Sequence, residues 1–191
     1  MKTNLTRIAL LLALAPLTPV AIAQTTKEET TKKTIVTEVK VAPEPGTLAA
    51  TINDSATFSI LAKALKAADL EGMLGDPKGS FTVFAPTDDA FMKLKKGTLD
   101  RLLLPENKEK LRSLLLYHVL PGQFSSSELK NGKITTSNGE KVEIDIKAHT
   151  VQVEHAKVAK ADLAVKNGIM HSVDEVIVPK SLDGFAKLDE K

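Results

Sequence analysis

The chain has 191 residues, 26 basic and 24 acidic, with 42% hydrophobic residues, 4% aromatic residues and no cysteine. Its length fits one domain with appendages. Without cysteine there are no disulfides, no thiol catalysis, no cysteine-bound zinc or iron–sulfur cluster and no lipid anchor at a cleavage-site cysteine; a formal charge of only +2 and no tryptophan give nucleic-acid binding no footing.

Residues 1–23 read as a secretory signal peptide. Lys2 and Arg7 form the positive start, Ile8 to Ala15 the apolar run, and Ala21-Ile22-Ala23 an A-x-A cleavage site before Gln24. The apolar run is too short to span a bilayer, and Pro16 and Pro19 argue further against a retained helix. Without this leader, 24 basic residues face 24 acidic ones. Export to the periplasm or the medium is therefore expected.

Gln24 to Gly46 is rich in Thr, Lys and Glu, has no aromatic residue and ends in Pro43-Glu44-Pro45-Gly46. Such a segment buries too little apolar surface to offset its ordering entropy, and a disordered linker is predicted. Within it, Val39 and Val41 alternate with charged residues, so Ile35–Val41 has an alternative reading as an added edge strand.

Thr47 to Leu74 is predicted to be helical, with Phe58, Leu61, Ala62 and Leu65 on one stripe and Asp54 or Ser55 capping the start. Asn53-Asp54-Ser55 is formally a glycosylation sequon, but the cap reading is preferred.

Phe81 to Phe84 is aromatic and β-branched, as a buried strand requires. Ala85, preceding a proline, is pushed to extended geometry, and Pro86 ends the ladder for want of an N–H. Thr87 is a good N-cap, and Asp88 and Asp89 sit where the helix dipole favours negative charge, ahead of Ala90, Phe91 and Leu94. Read this way, the two acids are helix-start residues rather than a metal or acid/base pair.

A second helical region spans Leu99 to Val119, with Pro105 at a first turn and Leu111, Leu114, Leu115 and His118 on one face. Pro121-Gly122 suits a type II turn, and Ser125 with Glu128 suits a capping box on a short helix. The last third is β: Val142, Ile144 and Ile146, then Val151 and Val153, alternate with polar residues, giving half-buried antiparallel strands. Asn-Gly pairs at 131, 138 and 167 signal tight turns. Helices followed by strands indicate an α+β fold.

Two segments and the pair between them carry a resemblance. Phe81 to Phe91 resembles the first conserved box of the fasciclin-like (FAS1) domain, TVFAPTxxAF, through Thr82, Val83, Phe84, Ala85, Pro86, Thr87 and Phe91. Asn167 to Pro179 is similar to its second box, NGxIHxIDxVLxP, through Asn167, Gly168, His171, Asp174 and Pro179, with Met170 standing where the family often has a branched aliphatic residue. Tyr117-His118 matches the Tyr-His motif between the boxes. The resemblance covers residues 47–180 and leaves 181–191 as a polar C-terminal tail. It implies a wedge-shaped β-sandwich of two sheets with several helices packed alongside. It further implies a non-catalytic adhesion module for an extracellular or cell-surface protein, matrix or polysaccharide. A monomer with no cofactor is expected.

Within that frame the box residues are read as structural. Tyr117 and His118 are the candidate interaction motif, with a buried, satisfied imidazole as the preferred alternative. His171 is read as a strand residue fixing the geometry near Asp174 rather than as a base or ligand. His149 and His155 have no third partner for a metal site. No Gly-x-Ser-x-Gly elbow, P-loop, GxGxxG or HExxH occurs, so no catalytic or metal residue is assigned. The alternative function is the binding of a small apolar ligand between helices and sheets.

Overall fold

The structure, a computed structural model, describes residues 43–147 and 150–182. The leader, most of the linker with its Ile35–Val41 segment, His149 and the tail beyond Leu182 lie outside the described residues.

The first helical stretch is divided. α1 spans Leu48–Asp54, a 3-10 turn follows over Ala56–Phe58, then α2 over Ser59–Ala67 and α3 over Glu71–Gly75. The start is capped by Thr47, whose Oγ1 accepts from Ala50 N–H at 3.5 Å, and not by Asp54. Ser55 caps the 3-10 turn instead, because its extended backbone interrupts the helix there. α2 stops where Asp69 takes a left-handed φ of 52°; Leu70 N–H then bonds Leu65 O at 3.0 Å and Asp69 N–H bonds Lys66 O at 3.3 Å. That is a Schellman end built without glycine.

β1 (Phe81–Pro86) runs into α4 (Asp88–Met92), with Thr87 accepting from Ala90 N–H at 3.3 Å. Asp88 does more than face its own helix dipole. Its carboxylate accepts from Ser59 Oγ at 2.6 Å and from Ile60 N–H at 2.8 Å, capping α2, which has no local side-chain cap. Asp88→Ala should therefore cost about 1 kcal/mol in urea unfolding. Asp89→Ala, which keeps that cap, should cost only ~0.3 kcal/mol.

α5 (Thr98–Leu102), a 3-10 turn at Pro105–Asn107 and α6 (Lys108–Tyr117) lead to β2 (Val119–Pro121). Gly122 follows with φ 100°, the conformation a Pro-Gly bend requires. Ser125 and Glu128 do bond, with Ser125 N–H donating to Glu128 Oε2 at 2.8 Å, but the segment is a turn and not a helix. Ser125 Oγ donates to the same carboxylate at 2.7 Å instead of accepting from the backbone, so the box is only half made.

β3 (Gly132–Thr135), β4 (Lys141–Lys147), β5 (Thr150–Val153), β6 (Ala156–Val165) and β7 (Gly168–Val173) complete the fold. The seven strands form one ladder in the order β2-β1-β7-β6-β5-β4-β3. All pairings are antiparallel except β1 with β7, which is parallel from Phe81–Gly168 to Pro86–Val173. The two boxes are thus hydrogen-bonded neighbours at the centre of the fold.

The ladder folds on itself about β6. Phe84, Leu120 and Val173 share one buried cluster with Val142, Ile144, Val151 and Val153 from its far end. Ser137 N–H bonds Val119 O at 2.8 Å and fastens the two ends. Successive β1 residues serve opposite faces: Val83 and Ala85 face the helices with Leu48, Leu61, Leu65, Phe91 and Met170, whereas Phe84 faces the sandwich interior.

Candidate functional site

The Tyr-His pair lies at the end of α6, inside the sandwich. His118 is buried at 2% exposure. Its Nδ1 lies 2.8 Å from Leu114 O, and its Nε2 accepts from Ile177 N–H at 3.0 Å. An acceptor at Nε2 places the proton on Nδ1, so the ring is neutral with both nitrogens satisfied. Burial pushes its pKa from 6.5 down to about 4 against the opposing bond to Leu114 O, and His155 lowers it further. Tyr117 is also buried, and its hydroxyl lies 3.2 Å from both Lys141 O and Glu154 Oε1. Tyr117→Phe keeps the ring and loses these bonds, so a cost of about 1 kcal/mol is expected in urea unfolding.

His171 is fully buried on β7 and stacks on Phe84, with ring centroids 5.6 Å apart. Asp162 N–H donates to its Nδ1 at 3.2 Å, and its Nε2 lies 3.0 Å from Phe124 O. It is therefore the opposite tautomer to His118. The loop after β2 is pinned beside it: Asp162 accepts from Ser126 N–H at 2.7 Å and Ser126 Oγ at 2.5 Å, which holds its carboxyl below the usual range.

The remaining box residues are committed in the same way. Thr82 Oγ1 donates to Gly122 O and accepts from Phe124 N–H, each at 2.8 Å. Phe91 and Pro179 are buried. Asp174 Oδ1 accepts from Lys157 N–H at 2.7 Å, and its other oxygen lies 3.6 Å from Lys93 Nζ. Asn167 is buried and ties its own segment to two distant ones: Oδ1 accepts from Leu48 N–H at 2.8 Å, while Nδ2 donates to Leu74 O at 2.8 Å and to Asp76 O at 2.9 Å. The sequence marks Asn167 as a turn and box residue but does not show these bonds, because nothing local signals partners 91 to 119 residues away.

Among the described residues no three His, Asp or Glu side chains gather as a metal site. His155 Nε2 faces Glu175 at 3.7 Å, and His149 lies outside the described residues. Asn53 of the sequon is half-buried and donates to Glu71 at 3.1 Å.

An open recess lies elsewhere. A groove of about 510 Å³ runs between the Ser55–Phe58 turn, Thr87 and the bulged part of β6 from Ala159 to Leu163, with Met170 and Ser172 of β7 along it. The sequence reading did not assign β6 to a strand, because AKVAKADLAV keeps no period of two.

A profile of the fasciclin domain matches residues 56–179. Protein sll1483 of Synechocystis sp. is 42% identical over 151 residues, covering 79% of this chain and 83% of that protein. Human periostin is 30% identical over 142 residues, 73% of this chain but only 17% of periostin. Among solved structures, a FAS1 domain pair from the insect cell adhesion molecule Fasciclin I superposes with a TM-score of 0.64 at 16% identity, covering 72% of this chain and 52% of that one. The chain belongs to the fasciclin domain family.

Proposed function

We propose that the chain is an exported, non-catalytic binding module that adheres to an extracellular or cell-surface protein, a matrix or a surface polysaccharide. The observation that carries this reading is the state of the two buried histidines. The groups best suited to acid–base chemistry are buried, with both ring nitrogens engaged inside the fold. What remains to meet a partner is surface. The likeness to a solved cell adhesion molecule supports the same reading. The leader at residues 1–23 supports export, and no described helix is long and apolar enough to cross a membrane. Two measurements test it. N-terminal sequencing of the exported form should begin at Gln24. The purified, immobilised chain should retain cells, biofilm material or envelope polymer above a blank surface; retention at background rejects adhesion.

A second reading rests on the groove beside β6: the module carries a small apolar ligand there. The groove's volume falls within the ~300–1,000 Å³ usual for small-molecule sites.

A further inference from the structure

In a regular strand successive side chains face opposite sides. Along the groove, five consecutive residues from Ala159 to Leu163 line one recess. Two register shifts against β7 and the left-handed φ of 61° at Asp162 bring them to it. Bulges of this kind recur beside functional sites, where they re-aim side chains. The floor is apolar: Phe58 and Met170 are buried beneath it, and Leu163 stands 49% exposed.

The rim is polar, with hydroxyls from Ser55, Thr57, Thr87 and Ser172. Ser55 and Thr87 accept the N–H groups of Thr57 and Ala90, and each hydroxyl keeps its own O–H as a donor. Two charges flank the recess, and they differ. The Asp162 carboxylate is met by both Ser126 donors. The Lys160 ammonium has no ion-pair partner among the described residues. The groove therefore offers an apolar floor, rim hydroxyls and a lysine ammonium without an ion-pair partner among the described residues, two residues from a carboxylate that is turned to Ser126.

We infer that this groove binds a free fatty acid, its acyl chain over Phe58, Met170 and Leu163 and its carboxylate at Lys160 and the rim hydroxyls. The inference rests on the second functional reading and adds the headgroup. Chain burial supplies affinity through apolar transfer, and the charge-assisted contact at Lys160 fixes the orientation.

Isothermal titration of the intact chain with dodecanoate and with dodecanol tests both parts. Dodecanoate should bind at least about tenfold more tightly than dodecanol, the worth of one charge-assisted hydrogen bond. Lys160→Gln should weaken dodecanoate about tenfold and leave dodecanol unchanged. Leu163→Glu, at an exposed floor position, should weaken both. Thermal unfolding of each variant separates lost binding from lost fold, and Ala161→Trp provides a second block of the groove. Equal binding of acid and alcohol, indifferent to Lys160→Gln, overturns the carboxylate assignment while the apolar-ligand reading stands. Binding of neither overturns both. Binding unaffected by Leu163→Glu and Ala161→Trp places the ligand elsewhere and overturns the site.

Discussion

Gly168→Ala is expected to lower the unfolding free energy by about 3 kcal/mol or more. An added Cβ at this position would lie 2.0 Å from Phe81 O and 2.9 Å from Leu48 Cδ1. The first neighbour is backbone in the parallel β1–β7 pair and cannot turn aside as a side-chain tip can. Relieving the clash would part the two boxes at their first paired residues, Phe81 and Gly168. It would also disturb Asn167, one residue away, with its bonds to Leu48, Leu74 and Asp76. Gly72→Ala makes the opposite control. Nothing lies within 4 Å of its added Cβ, and it sits exposed inside α3, so the change should stabilise by roughly 0.5–1 kcal/mol. Equilibrium unfolding in urea reads both. Equal effects at the two glycines would mean that the close approach of β7 to β1 is not what position 168 requires.

The second large effect is a loss of stability with acid that begins well above the carboxylate range. His118 titrates near 6.5 when unfolded and at about 4 when folded. Between those values the unfolded chain binds the extra proton, so stability rises with pH there. The contribution is fully present above pH 6.5 and is lost as pH falls through 4. The difference amounts to about 3 kcal/mol, of which about 2 kcal/mol is gone by pH 5. His118→Gln should remove this dependence between pH 7 and 5 and should itself be less stable at pH 7, since no single amide reaches both Leu114 O and Ile177 N–H as the ring does. Urea midpoints at a series of pH values check it; a variant with the wild-type slope would assign the acid sensitivity to other groups. Asp162 and Glu128, whose carboxyls are held low by Ser126 and Ser125, add their own losses as pH falls below their ordinary carboxylate values.

The local elements were largely legible in the sequence. Phe81 to Phe91 announces strand, corner and capped helix because each residue acts on its own neighbours. Val142, Ile144, Val151 and Val153 keep the period of two that half-buried strands impose. What was hidden depends on distant partners. Asp88 reads as an acid in its own helix, yet it caps α2, twenty-eight residues earlier. Asn167-Gly168 reads as a tight turn, yet its asparagine ties three segments and its glycine admits a neighbouring strand. β6 was missed because its bulges break the alternation that reveals a strand. The same irregularity forms the groove, so the surface best suited to a ligand was the least readable part of the chain.

The boxes and the Tyr-His pair thus hold the two sheets and the helices together. The scaffold role of His118 is tested most directly by nitrogen-15 NMR of its imidazole across a pH series of the folded chain. The expected result is a neutral ring protonated at Nδ1, unchanged through pH 5 and titrating near 4. A ring titrating at its ordinary value of 6.5, without loss of fold, would show that His118 faces solvent, and would return the pair to the role of a contact site.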